Sequence, residues 1–210
     1  VHAETAPIVV TDNATSQVYF DFIEDSHGQM TINQVVAIPE SNWQRSDEGS
    51  ATFGMTTSPY WLRFSVKNQA QANLNLIASL DYSQLDDVIF YVFSGQQKVH
   101  EFATGDQRPF YPREVDHPEM VLRFDLMTDE VKDIYIRVQT EGSMILPLSI
   151  WQENEFFAAA AKEQKFHFFY YGCLTVIILI NLAVFLTLRE KLYLFYALAI
   201  GGYLSVSYTH

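Results

Sequence analysis

The chain has one cysteine, Cys173, and none in its first 165 residues, so the fold of that long N-terminal part is built without a disulfide. Bases are also scarce: 13 Lys and Arg stand against 25 Asp and Glu, a formal net charge of −12. No basic stripe exists to neutralise phosphates, which argues against a nucleic-acid partner. No His-Glu-x-x-His, Cys-x-x-Cys, Gly-x-Ser-x-Gly or phosphate-cradling glycine loop occurs, and the six histidines are scattered. The chain therefore reads as no enzyme, and no cofactor is expected. Asp81, Asp86 and Asp87 offer the hard oxygen ligands that calcium takes, but no Asp-x-Asp-x-Asp-Gly loop frames them, and they read as a solvated acidic turn. The most informative absence is charge between positions 166 and 188: FHFFYYGCLTVIILINLAVFLTL holds no Asp, Glu, Lys or Arg.

That run is roughly 35 Å long as a helix, enough to cross a hydrocarbon core of about 30 Å. After the polar break 189–191, a second uncharged run continues from Leu192 to the chain end, so the expectation is a multi-pass membrane protein whose bundle extends beyond these two helices. Charge is partitioned accordingly. Residues 1–165 hold 24 acids and 11 bases, whereas the remainder holds Glu190, Arg189 and Lys191. The expected organisation is a signal-peptide remnant at 1–3, a β-sandwich domain on the periplasmic side at 4–152, a helical stalk at 153–165, a first span at 166–188, a cytoplasmic turn at 189–191 and a second span at 192–210. Within the spans Thr175 and Asn181 are expected to hydrogen-bond between helices.

Inside the soluble domain the dominant period is two. In Tyr60–Lys67 the residues Tyr60, Leu62, Phe64 and Val66 share one face, and Trp61, Arg63, Ser65 and Lys67 the other. The alternation recurs in 74–80, 121–126 and 134–139, while Val88–Phe93 is apolar on both faces and predicts a strand covered on both sides. Turn signals at 26–28, 94–95, 105–106 and 141–143 separate these runs. Met30–Ala37, opened by Thr31 as a cap, predicts a turn or two of helix. Short strands at this spacing specify an all-β sandwich followed by transmembrane helices.

Several stretches carry a family resemblance: YWLRFSVKN (60–68), LDYSQLDDVIFYVFSG (80–95), TGDQRPFYPRE (104–114), IYIRVQTEGSMILPLSIW (134–151) and the lead-in VYFDFIEDSHGQMTINQV (18–35). Their order resembles the type 2 extracellular domain of the seven-transmembrane receptors with diverse intracellular signalling modules, and YYGCLTVIILINLAVFLTLREKLYLFYALAI (170–200) is similar to the start of that family's membrane region. The resemblance implies a jelly-roll sandwich akin to carbohydrate-binding modules, exported to the bacterial periplasm and anchored in the inner membrane. It implies an output of the histidine kinase or diguanylate cyclase type outside this chain.

The residues themselves nominate a ligand site. Trp61 with Arg63, and Tyr135 with Arg137, occupy the sheet face opposite the apolar one, and Arg123 has the equivalent parity in its strand. Sugars stack their C–H faces on aromatic rings and take hydrogen bonds from planar guanidinium groups. Arg108 and Arg113 lie in a loop dense in charge and rings, where they line a mouth of the sandwich or else tie the loop onto carboxylates. Two functions remain open. One is a sensor for a glycan or small polar ligand. The other is an interaction module without a small ligand, which pairs through an exposed aromatic face with a second copy or a partner receptor.

Overall fold

The computed structural model describes residues 7–11, 16–46, 49–82, 84–108, 117 and 119–209. The chain divides into two compact units, Val1–Phe156 and Phe157–His210. In the first unit the strands are β1 (Ile8–Val10), β2 (Ser16–Gln17), β3 (Asp21–Glu24), β4 (Gln44–Arg45), β5 (Ser50–Met55), β6 (Tyr60–Asn68), β7 (Leu74–Leu80), β8 (Asp87–Ser94), β9 (Gln97–Thr104), β10 (Met120–Leu126), β11 (Val131–Gln139) and β12 (Ser143–Gln152). A five-residue helix, α1 (Ile32–Val36), lies between β3 and β4.

Among the described residues the first sheet runs β4-β3-β6-β11-β8-β9, with β1 also along β6, and the second runs β10-β7-β12-β2, with β5 also on β12. β1 lies parallel to β6; the long pairings β6–β11, β8–β11, β8–β9, β7–β10 and β7–β12 are antiparallel. Between the sheets lies one buried cluster including Leu62, Phe64, Leu76, Leu80, Phe90, Leu122, Ile134, Ile136 and Leu148. The period of two puts it there. Register sets Ile134 opposite Phe64 and Val92, and Ile136 opposite Leu62 and Phe90, so each inward row is continuous across three strands. The result is the expected all-β sandwich.

The same register builds the outward rows. Asp21, Arg63, Tyr135, Tyr91 and Glu101 form one, and Ile23, Trp61, Arg137 and Ile89 the next. At one corner, the turn after β9 returns to the start of β8: Asp106 N–H donates to the Leu85 carbonyl over 2.8 Å. Gly105 sits there at φ +144°, and a Cβ on it would lie 2.2 Å from the Asp86 carbonyl oxygen. Only glycine fits.

Helix α2 (Glu153–Leu188) is continuous, so stalk and first span form one element. Its first turn folds onto the outer face of the second sheet, where Phe156 packs with Ile77, Val121 and Trp151. This explains why Ile77, on the outward face of β7, is buried although Asn75 on the same face is exposed. In the second unit Phe168–Leu188 is long and apolar enough to cross a membrane by length and composition. α3 (Lys191–Thr209) follows a break at Arg189, φ +56°, and its apolar stretch Lys191–Leu204 is shorter. Thr175 and Asn181 donate to carbonyls of their own helix, those of Tyr171 and Ile177, over 2.8 and 2.9 Å.

Candidate functional site

Five of the seven nominated residues are drawn to one sheet face, and Arg123 lies in the other sheet. Arg63 lies opposite Tyr135 and Trp61 opposite Arg137, and Arg108 reaches the same face through Asp87, which it shares with Arg137. Arg113 lies outside the described residues.

The face is not open, which corrects the expectation of an exposed aromatic platform. Residues 30–43, including α1, lie across it: Val35 is buried against Trp61, Tyr91 and Phe93, with Met30, Ile32, Ile38, Trp43 and Tyr135 packed around them. Trp61 retains 1% of its surface and stacks on Tyr91, ring centroids 5.8 Å apart. α1 starts where Thr31 predicts. The Gln34 Oε1 accepts from both the N–H and the hydroxyl of Thr31, over 2.8 and 2.9 Å.

At the start of this cover the Met30 N–H donates to the buried Asp25 carboxylate over 2.8 Å. Apolar packing holds the cover, together with the Arg63 guanidinium 4.4 Å from the Trp43 ring centre. The packing is strong enough. Uncovering Val35, Trp61, Tyr91 and Phe93 at about 1.5–3 kcal/mol each costs roughly 6–12 kcal/mol, more than the about 4 kcal/mol of a millimolar ligand and comparable to the about 8 kcal/mol of a micromolar one. This layer is a second core, and it also removes the exposed aromatic face on which the interaction-module alternative rested. The buried indole N–H groups of Trp43 and Trp61 reach no acceptor among the described residues, a local cost of about 1–3 kcal/mol each.

The arginines of this face are engaged. Arg63 donates to Asp21 from Nε and Nη2 over 3.3 and 3.2 Å, and Arg45 approaches the other Asp21 oxygen at 3.4 Å. Arg137 donates to Asp87 over 3.2 Å and to Gln139 over 2.9 Å. Arg108 completes the group on the other Asp87 oxygen, so it ties the loop down, as one of the two readings of that loop holds. Burial pushes the Tyr135 phenol above its ordinary pKa, with Asp133 adding to the rise and Arg63 opposing it. Asp86 accepts the Glu141 N–H over 2.7 Å. With Asp87 held by arginines, these aspartates do not converge, and no group of three metal-ligating side chains occurs among the described residues.

An open site lies elsewhere. β9 closes the first sheet and β10 the second, and the two edges do not pair. Between them is a cleft of about 800 Å³, within the range of small-molecule sites. The buried Val92 and Phe124 and the half-exposed Val99 are its apolar lining; His100, Arg123 and Lys132 stand among its polar groups, with Asp125 and Glu130 beside them. The Lys132 ammonium is buried and committed. It donates to the Asp125 carbonyl over 2.7 Å and the Asp125 carboxylate over 3.3 Å, and it lies 3.7 Å from Glu130. Arg123 is different: 52% of its side chain is exposed, and its Nη2 lies 3.0 Å from Glu153. Outward parity had marked Arg123 in the sequence. The cleft had no such signal, because it depends on two edge strands, β9 ending at Thr104 and β10 starting at Met120.

Residues 17–152, the sandwich without β1, match the family model described as 7TMR-DISM extracellular 2. The chain belongs to that family. A 7TMR-DISM extracellular 2 domain is a sensor-type extracellular module, and here it is followed by a helix able to cross a membrane. Among curated proteins nothing matches this chain. Among solved structures it is similar to TmCBM61 in complex with beta-1,4-galactotriose, at 8% identity and a TM-score of 0.30 over 64% of this chain and 88% of that one. It is also similar to BtGH115A, a 4-O-methyl-alpha-glucuronidase with specificity for decorated arabinogalactans, at 18% identity and a TM-score of 0.28. That match covers 50% of this chain and 14% of the glucuronidase. Neither likeness says what this 7TMR-DISM extracellular 2 domain binds.

Proposed function

We propose that this chain is the periplasmic ligand-sensing part of a bacterial multi-pass inner-membrane receptor, and that its ligand is a glycan or other small polar molecule. The cleft between β9 and β10 carries the reading. It combines ligand-sized volume, an apolar lining for a sugar's C–H face and donors at its rim, while the aromatic face first nominated is sealed. Occupation of the cleft biases an output of the histidine kinase or diguanylate cyclase type in a part of the receptor outside this chain. The bias requires unequal affinity of the ligand for the receptor's two states; tight binding alone shifts nothing.

The test is thermal denaturation of the chain in lipid nanodiscs against a panel of neutral and acidic oligosaccharides. A sensor's midpoint rises with ligand concentration, by the equivalent of about 2.7 kcal/mol at a hundredfold excess over Kd. The rise should vanish in His100→Ala and Arg123→Ala and persist in Arg108→Ala. A flat panel, or a rise that survives both cleft variants, contradicts the proposal.

A further inference from the structure

Of the two cations lining the cleft, Lys132 is enclosed by Asp125 and Glu130, and Arg123 is the one a solute reaches. Arg123 also has a partner in another element. Both carboxylate oxygens of Glu153, the first residue of α2, lie 3.0 Å from its Nη2. Three residues on, Phe156 sits in the socket of Ile77, Val121 and Trp151. The arginine at the cleft is thus also a tether of the helix that contains the candidate span.

We infer that Arg123 couples the cleft to α2 by exchange: an acidic group on the ligand, such as the carboxylate of a sugar acid, takes the guanidinium from Glu153 and loosens the first turn of the helix. The inference rests on the cleft being the binding site. The class of ligand follows from the bond to be displaced. A guanidinium–carboxylate contact is roughly twice as strong as a neutral hydrogen bond, so a sugar hydroxyl competes for it at a disadvantage, whereas a second carboxylate competes on equal terms. Linkage requires reciprocity: whatever loosens Glu153 must tighten the ligand by the same factor. Because Arg123 is half exposed, the pair belongs to the weak class, and the factor is at most about fivefold.

The experiment uses the chain in nanodiscs, with D-galacturonate as probe and D-galactose as neutral control, read by calorimetric titration and by amide exchange over residues 153–157. Galacturonate is expected to bind more tightly than galactose, to gain two- to fivefold affinity in Glu153→Gln (about the range of an exposed pair), and to speed exchange of the first turn in the parent chain. The double variant Arg123→Glu with Glu153→Arg restores the tether and should protect that turn while abolishing galacturonate binding. Equal galacturonate affinity in parent and Glu153→Gln chains overturns the exchange and leaves the cleft standing, provided His100→Ala weakens binding. Equal binding of the two sugars likewise overturns the exchange alone. Failure of galacturonate to bind overturns the exchange, and the cleft itself then stands or falls with the oligosaccharide panel.

Discussion

Replacing Phe156 by Ala measures how firmly α2 is fastened to the sandwich. Its ring is 4% exposed. It lies 4.7 Å from the His117 ring and 6.1 Å from that of Trp151, the latter edge-on at 73°, and it closes the outer face over Ile77 and Val121. Removing a buried Phe costs about 3–5 kcal/mol, since the cavity is only partly filled by relaxation; the aromatic edges account for roughly 0.5–1.5 of it. A domain of this size holds about 5–15 kcal/mol in total, so the sandwich should survive. At about 2–4 °C per kcal/mol its midpoint should fall by roughly 6–20 °C. The neighbouring Phe157 is 44% exposed, and Phe157→Ala should stay within about 0.5 kcal/mol. Urea denaturation in micelles, followed by tryptophan fluorescence, reads both variants. A loss below about 1 kcal/mol for Phe156→Ala, or equal losses for the two, would refute the socket.

Gly105→Ala should destabilise by about 1–3 kcal/mol or more, because both its φ and its approach to Asp86 exclude a Cβ; a neutral result in thermal denaturation would mean the corner is built otherwise. Around Asp87 the two arginines should separate. Arg108, 40% exposed, should cost no more than about 1 kcal/mol on change to Ala, and Arg137, 17% exposed, about 1–3 kcal/mol; equal losses in urea titrations would contradict the assignment. Burial raises the phenol pKa of Tyr135 and Tyr91 in the folded state. Their contribution is thus complete below the unfolded value of about 10 and is lost as pH rises through and above it. Tyr135→Phe should flatten the alkaline limb of the stability curve, and an unchanged limb would show that the phenol does not ionise there.

The β-sandwich was legible because period two marked β6, β7, β10 and β11 directly, and because Thr31 announced α1. The sealed aromatic face was partly legible. Val88–Phe93 is apolar on both faces, and Ile32, Val35 and Ile38 recur at helical spacing, so each side required a cover. What the alternation of Trp61 and Arg63 could not convey is that these two requirements are met by one another across the sheet. Ion pairs were least legible. Arg123 is two residues from Asp125 but bonds Glu153, thirty residues on, while Lys132 takes Asp125; partner choice between charges follows from topology and not from sequence proximity. The open cleft belongs to the same class, as a property of two strands that fail to meet.

The central claim, that the ligand occupies the cleft between the sheet edges, is tested most directly by amide exchange of the chain in nanodiscs, with and without a glycan that raises its thermal midpoint. The account predicts slowed exchange in β9 and β10, over 97–104 and 120–126, with the cover at 30–43 unchanged. Protection confined to 30–43 and the strands beneath it would contradict the claim and return the site to the aromatic face.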